Sequence, residues 1–230
     1  MKKDYISVIY NEKRTPRTDY PSRLASYLVG RFKIAGGAKL LEIGCGRGDF
    51  LEAFRDLGLD CYGTDLSSKG VKNGSSLNIK CADVTKEALP YGDNTFDVVY
   101  HKSLLEHLSD PGNLMEETYR VLKPGGRVII LTPDWISQMK VFYEDFTHAR
   151  PYDKRSLNDL LTIYGFSDVQ TELFYQLPAL WKYPSLKMVS STLRAVLSTP
   201  GARKLTDLTK IKFFRWSVEL MVFGAAVKQR

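Results

Sequence analysis

The sequence predicts an α/β protein built on a doubly wound, mostly parallel sheet of seven strands, with helices on both faces and a helical insertion before the last strand. Three observations carry this. From Ala38 onward, short apolar runs alternate with amphipathic helical segments. The runs are apolar nearly throughout, as strands buried on both faces are. A glycine-rich turn, Gly44-Cys45-Gly46-Arg47-Gly48, joins the first run to the first helix, where an open α/β sheet places its ligand crevice.

In chain order, residues 1–37 precede the sheet, and 21–32 reads as a helix. Lys39–Ile43 and 59–64 read as the first two strands. Between them, Phe50, Leu51, Ala53, Phe54 and Leu57 recur at helical spacing over 49–57, and Gly58 stands where a left-handed cap belongs. Residues 78–82, 96–100 and 127–132 supply three more strands. A helix over 111–122 separates the last two and is closed by Lys123-Pro124-Gly125-Gly126. Residues 156–164 read as a further helix, with Ser156 as cap and Gly165 as stop. The runs at 169–174 and 216–227 complete the sheet. The stretch 175–215 between them is too long for a hairpin turn, so it is expected to be helical.

Composition narrows the function classes. A chain of 230 residues can bury a full core as one domain with an elaboration. Its longest apolar runs are far below the roughly 20 residues a spanning helix needs. The opening Met-Lys-Lys-Asp lacks the apolar stretch of a secretory signal, so a cytoplasmic protein is expected. Cys45, Cys61 and Cys81 form no CxxC pair and leave an odd count, which argues against a disulfide framework or a zinc knuckle. The net charge of +7 is concentrated in 2–31 and 203–230. Such clusters suit nucleic acid, an anionic membrane surface or a phosphorylated substrate, or serve as a solvated face. Nucleic acid is disfavoured, because the basic segments lack interleaved aromatic and arginine-rich motifs.

Bare backbone at Gly44, Gly46 and Gly48 lets N–H groups approach a ligand closely, although structural turns use the same pattern. Asp65 ends the second strand, 17 residues after Gly48, where a carboxylate accepts hydrogen bonds from both hydroxyls of a ribose. A nucleoside is the expected guest. The chain has neither the GxGxxG spacing of a pyrophosphate loop nor a GxxxxGK[ST], so dinucleotides and ATP are disfavoured.

Five blocks in order across 38–174 resemble class I S-adenosylmethionine-dependent methyltransferases. They are LLEIGCGRGDF, the acidic strand end at Asp65, CADV at 81–84, LPYGDNTFDVVYHKSLLEHL at 89–108 and YRVLKPGGRVIILTPD at 119–134. More narrowly, they are similar to the group acting on small molecules, lipids and glycans. The resemblance implies a Rossmann-like fold over 38–230 and S-adenosylmethionine as cofactor. It places Glu42, Gly44, Cys45 and Gly46 at the methionine end, Asp65 and Leu66 at the ribose, Asp83 and Val84 at the adenine, and His101 beside the sulfonium. Glu42 also suits the cofactor's zwitterionic tail on chemical grounds. Asp49, in a first helical turn, reads as a helix-terminus acid.

Methyl transfer is an in-line displacement, and a hydroxyl or ammonium acceptor also needs a base. Of three histidines, His148 in FYEDFTHARPY follows the fifth strand, with Asp145 three residues earlier to orient its ring. This segment resembles an ED-x-TH-x-R stretch of glycan and natural-product methyltransferases. His107, in LLEHL, is a second candidate. Ubiquinone-pathway O-methyltransferases carry a further Glu three residues before a similar Glu-His pair, associated with a divalent metal; Ser103 stands there in this chain, so no metal is expected. Neither an NPPY-like motif nor a Pro-Cys pair follows the fourth strand, which argues against base methylation by those routes.

The expected reaction is O-methylation of a small-molecule, saccharide or lipid-linked glycan acceptor, flanked by residues 1–37 and 175–215. An RNA or protein methyltransferase and a catalytically silent binding module are the alternatives. Within 175–215, Trp181, Tyr183, Leu186, Met188, Leu193 and Leu197 lie among Lys182, Lys187 and Arg194. Three roles suit them: packing as a lid, forming a homodimer interface, or peripheral contact with the inner face of a membrane.

Overall fold

In the computed structural model, residues 16–67 and 77–229 are described. The part of the N-terminal segment before Pro16 lies outside them. The described chain runs α1 (Tyr20–Phe32), β1 (Lys39–Ile43), α2 (Asp49–Asp56), β2 (Asp60–Asp65), β3 (Asn78–Cys81) and β4 (Phe96–Lys102). It continues through α3 (Gly112–Val121), β5 (Leu122–Pro133), α4 (Trp135–Gln138), α5 (Lys154–Ile163) and β6 (Phe166–Phe174). The remaining elements are α6 (Pro178–Lys182), α7 (Leu186–Val196), α8 (Thr199–Thr209), α9 (Lys212–Val218) and β7 (Met221–Lys228).

The seven strands form one sheet in the order β3-β2-β1-β4-β5-β7-β6. All pairings among β1 to β5 are parallel, and β7 runs antiparallel between β5 and β6. The chain builds outward from β1 in one direction, then returns to lay β4 on its other side. The crevice of such a sheet opens at that switch point, beyond the carboxyl ends of β1 and β4.

Strand alternation sends successive side chains to opposite faces, and each face has its own core. Leu41, Ile43, Val99 and Ile130 pack beneath Leu114, Met115, Leu157 and Leu161 of α3 and α5. Leu40, Tyr100, Ile129 and Leu131 pack against Leu24 and Leu28 of α1 and Leu51 and Phe54 of α2. Gly126 lies at a tight point of β5. A Cβ there would stand 2.8 Å from the Lys123 carbonyl oxygen and 3.1 Å from that of Phe96.

Two expectations are corrected at element boundaries. Asp153 rather than Ser156 caps α5: its carboxylate accepts from the Ser156 amide at 2.8 Å, and Ser156 Oγ accepts from the Asp153 amide at 2.8 Å. This reciprocal capping box starts the helix at Lys154. The run at 216–227 is not one strand, since its first residues finish α9. The Glu219 amide donates to the Arg215 carbonyl at 2.8 Å, and the Glu219 carboxylate accepts from Arg215 Nε at 2.8 Å. These i,i+4 contacts hold the chain helical until β7 begins.

Four short helices occupy 178–218. Ser190 of α7 and Ser217 of α9 share a buried hydrogen bond at 2.9 Å. Arg203 of α8 bonds both the buried Glu219 and Glu144, tying the helices to the root of β7 and to the segment after β5. Trp181 stacks its ring 5.0 Å from Tyr27 and 5.4 Å from Phe174. Tyr20 of α1 touches Trp181, Trp216 and Phe50, with centroids 6.1, 5.4 and 6.3 Å away. Among the described residues, no helix is long and apolar enough to cross a membrane.

Candidate active site

β1 delivers Glu42 to the crevice, where it is 4% exposed. Burial, reinforced by Asp49 and Asp65, raises its pKa well above the usual carboxylate range. Its Oε2 has no hydrogen-bond partner among the described residues. Such an orphaned acid fits a cationic guest.

The loop after β1 adopts positive φ at Gly44, Gly46 and Gly48, at 72°, 54° and 81°. A Cβ on Gly48 would approach Leu77 Cδ1 to 2.5 Å, and one on Gly44 would meet Leu104 at 3.1 Å. The Gly44 and Cys45 amides donate to the Thr64 carbonyl at 2.8 and 3.0 Å. Cys45 is buried. The Gly46 amide donates to Asp65 Oδ2 and the Ser67 amide to Asp65 Oδ1, both at 2.8 Å. Asp65 therefore clamps the glycine loop to the end of β2, and each of its oxygens keeps a lone pair for a ligand hydroxyl. Leu66, beside it, is 69% exposed.

Asp83 is committed to its own turn. Its carboxylate accepts from the Thr85 amide and hydroxyl at 3.1 and 2.6 Å and pairs with Lys86 at 3.0 Å. The Thr85 hydroxyl and Lys86 hold its pKa below the ordinary range. Val84 packs half-buried against the core, and its carbonyl accepts from Asn113. His101 lies on β4 opposite Ile130 of β5. It is fully buried with both ring nitrogens unpartnered among the described residues, and burial pushes its pKa down to about 3. It is a neutral imidazole.

His107 and His148 meet, with ring centroids 4.9 Å apart. The chain brings them together because the Ala149 and Arg150 amides both donate to the Glu106 carbonyl, at 2.7 and 3.1 Å. Asp145 does not orient His148 through its carboxylate, as the sequence suggested. Its Oδ1 accepts from the Thr147 hydroxyl at 2.6 Å, and Thr147 Oγ1 lies 3.0 Å from His107 Nδ1. A hydroxyl has one proton, so the oxygen's lone pair accepts from His107 Nδ1. The orienter of His148 is the Phe142 carbonyl, 2.6 Å from Nδ1. A carbonyl only accepts, so Nδ1 carries the proton and the neutral ring keeps its lone pair at Nε2. Burial and the neighbouring His148 lower the pKa of His107. Burial pushes Asp145 up, but Thr147 and the two imidazoles hold it below the usual value.

Two further groups complete the site. Glu106 is 1% exposed, accepts from Thr132 Oγ1 at 2.9 Å, and has a buried Oε1 with no hydrogen-bond partner. Burial raises its pKa to about 7. Lys102 ends β4 beneath the rings of Tyr20 and Phe50, 5.9 and 6.0 Å away. Burial lowers its pKa while Glu106 and Glu42 raise it. One ligand atom each from Glu106, His107 and His148 lie within 4.8 Å of one another, a set able to hold a divalent cation.

The profile of the methyltransferase domain family matches residues 11–171. The chain belongs to this family. Phosphoethanolamine N-methyltransferase 3 of Arabidopsis thaliana is 34% identical over 160 residues, 63% of this chain and 32% of that protein. Ubiquinone biosynthesis O-methyltransferase of Sinorhizobium fredii is 33% identical over 102 residues, 42% of this chain and 41% of that protein. The aligned part thus spans about a third to two fifths of these relatives. Among solved structures, a chain from the complex of the Haloferax volcanii Trm112 methyltransferase activator with a methyltransferase superposes over 100% of both chains, with TM-score 0.71 and 17% identity. Phosphoethanolamine N-methyltransferase 2 of Haemonchus contortus, in complex with S-adenosyl-L-methionine, covers 98% of this chain and 59% of its own, with TM-score 0.66 and 19% identity. These likenesses show the class I methyltransferase fold.

In this chain the sequence pointed to the glycine loop, Asp65, each histidine and the Glu106–His107 pair, but not to Lys102 or Thr147 as working parts. For Lys102 a signal was present: a cation at the carboxyl end of the fourth strand, beside the crevice. Thr147 gains its role only through a contact across 40 residues.

Proposed function

We propose that this enzyme transfers the methyl group of S-adenosylmethionine to an oxygen of a small-molecule, saccharide or lipid-linked glycan acceptor, with His148 as base. The observation that carries this reading is the His107–His148 pair beside the switch-point crevice, with His148 Nδ1–H held by a carbonyl and Nε2 left to take a proton. Bound S-adenosylmethionine supplies an electrophilic methyl whose S–C bonding electrons depart with the sulfur. Asp65 accepts the ribose hydroxyls while keeping the Gly46 amide in place. Glu42 meets the ammonium of the methionyl tail and becomes ionised as it does so. Gly44, Cys45 and Gly46 line that tail, and Leu66 covers the sugar.

With Asp83 already held by Thr85 and Lys86, the adenine edge is met by the Val84 side chain and the backbone beside it. His101, being neutral, stands next to a sulfonium without repelling it. His148 Nε2 takes the acceptor's hydroxyl proton as the new O–C bond forms. The Asp145–Thr147–His107 chain fixes the neighbouring ring that shapes this pocket.

The likeness to phosphoethanolamine N-methyltransferases supports a second reading, in which the acceptor atom is nitrogen. The test uses S-adenosylmethionine labelled in the methyl group and a small-molecule cell extract as acceptor pool. His148→Ala is expected to lower transfer about 100-fold or more while the affinity for S-adenosylhomocysteine stays within twofold. Transfer at the wild-type rate would remove the base assignment. With the methyl carrying carbon-13, an NMR correlation that places it on nitrogen rather than oxygen in the purified product would favour the second reading.

A further inference from the structure

Residues 178–218 contain eight lysines and arginines against a single acid, Asp207, a surplus equal to the net charge of +7 of the whole chain. Only Arg203 and Arg215 among these eight have an ion-pair partner among the described residues. At 100° per residue, Leu186, Val189, Leu193 and Val196 of α7 fall within an arc of about 80°. That stripe is not packed inward: Leu186, Val189 and Val196 are 38%, 55% and 79% exposed, and Ser190 is the buried residue of the helix.

Beside this helix lies a cavity of about 770 Å³, bounded by α4, the start of α5, β6 and the α7–α8 link. Four cations line it: Lys140, Lys154, Arg155 and Arg194. Of its two acids, Asp153 caps α5 on the Ser156 amide, and Asp134 caps α4 on the Ser137 amide through Oδ2 while its Oδ1 is buried without a hydrogen-bond partner. Lys140, Lys154 and Arg194 have no ion-pair partner among the described residues, and Arg194 Nη1 is buried without a hydrogen-bond acceptor. The Arg194 side chain lines this volume as a cation with which an anionic oxygen can pair. Exposed Ile136 and Met139 line the cavity together with Leu197.

We infer that this cavity binds the phosphate of an anionic lipid, with the lipid's chain lying along the α7 stripe, so that 178–218 docks on a membrane surface. A second copy of the chain is a poor occupant, because the two faces would each carry the same positive surplus. The inference deepens the lipid-linked acceptor reading and rests on it for its purpose. Asp134, at the end of β5, lines the cavity, and the segment leaving β5 carries His148. A phosphate held by Arg194 therefore leaves a lipid-borne sugar on the same sheet edge as the base.

The test is co-sedimentation of the full chain with vesicles of equimolar phosphatidylglycerol and phosphatidylcholine, compared with phosphatidylcholine alone. Binding is expected only to the anionic vesicles. Arg194→Gln is expected to weaken partitioning about fivefold, the effect of one charge at a lipid surface. Val189→Asp with Val196→Asp is expected to abolish it. Calorimetry with S-adenosylhomocysteine checks that each variant is folded, and unchanged heat there separates loss of docking from loss of the methyltransferase reading. Absence of vesicle binding by the wild-type chain overturns the inference, and so does binding that all these variants retain. Arg194-dependent binding of inorganic phosphate without vesicle binding also overturns it, and assigns the cavity to a soluble phosphate.

Discussion

Removing the Asp65 carboxylate tests the cofactor half of the site most directly. In Asp65→Ala, the Gly46 and Ser67 amides lose acceptors at 2.8 Å each, and on the proposed reading a bound ribose would lose the acceptor for both its hydroxyls. A hydrogen bond to a charged group contributes about 1.5–3 kcal/mol. The two loop bonds are lost in the free and the bound protein alike, so they act mainly on stability. The two ribose bonds are lost from the complex alone. They sum to about 3 kcal/mol at the lower bound, which at 1.4 kcal/mol per tenfold is a loss of affinity of about 100-fold or more. Isothermal titration with S-adenosylhomocysteine measures this, and urea unfolding of the unliganded protein measures the loop contribution separately. If affinity falls less than about threefold while stability falls, Asp65 is a clamp for the glycine loop and not a ribose ligand.

Thr147→Val breaks the link from Asp145 to His107 and is expected to lower turnover about fivefold, the worth of one neutral hydrogen bond, at unchanged S-adenosylhomocysteine affinity; Thr147→Ser is expected to restore it, and no rescue would make the effect one of packing. Glu106 has its folded pKa raised to about 7 by burial, so its contribution to stability is complete below the ordinary carboxylate pKa and is lost as pH rises through 7. Urea unfolding at about pH 5 and about pH 8 is expected to show a decline of about 2.5 kcal/mol that Glu106→Gln abolishes; an equal slope in both proteins refutes this. Because His148 is assigned as a base, treatment with EDTA is expected to leave methyl transfer intact. Loss of transfer restored by a divalent cation would instead make Glu106, His107 and His148 a ligand set.

The parallel strands and their order of appearance were legible because burial on both faces writes itself as short, mostly apolar runs, from Lys39–Ile43, broken only by Glu42 after its opening Lys39, to the apolar core of β5. The glycine loop and Asp65 were legible because their conformations and chemistry are local. Where the reading failed, a tertiary contact outweighed a local pattern. Trp216, Ser217 and Val218 look like the start of a strand, yet the salt links of Glu219 to Arg203 and Arg215 favour helix up to that point. Ser156 is an acceptable cap by composition, but Asp153 offers a charged acceptor one turn earlier. The partner of His107 was beyond reach of any periodicity, since it depends on how the segment at 142–150 folds back onto Glu106.

The rings around Tyr20 couple parts of the molecule that are distant in sequence. Trp181 and Trp216 belong to the basic helices, Phe50 opens the helix that follows the glycine loop, and all three lean on one tyrosine. If both proposed ligands bind, linkage requires that whatever one does to the affinity of the other is returned in equal measure. Since these are two of the three tryptophans in the chain, indole emission is the measurement in which a ligand at either end of this contact would be looked for.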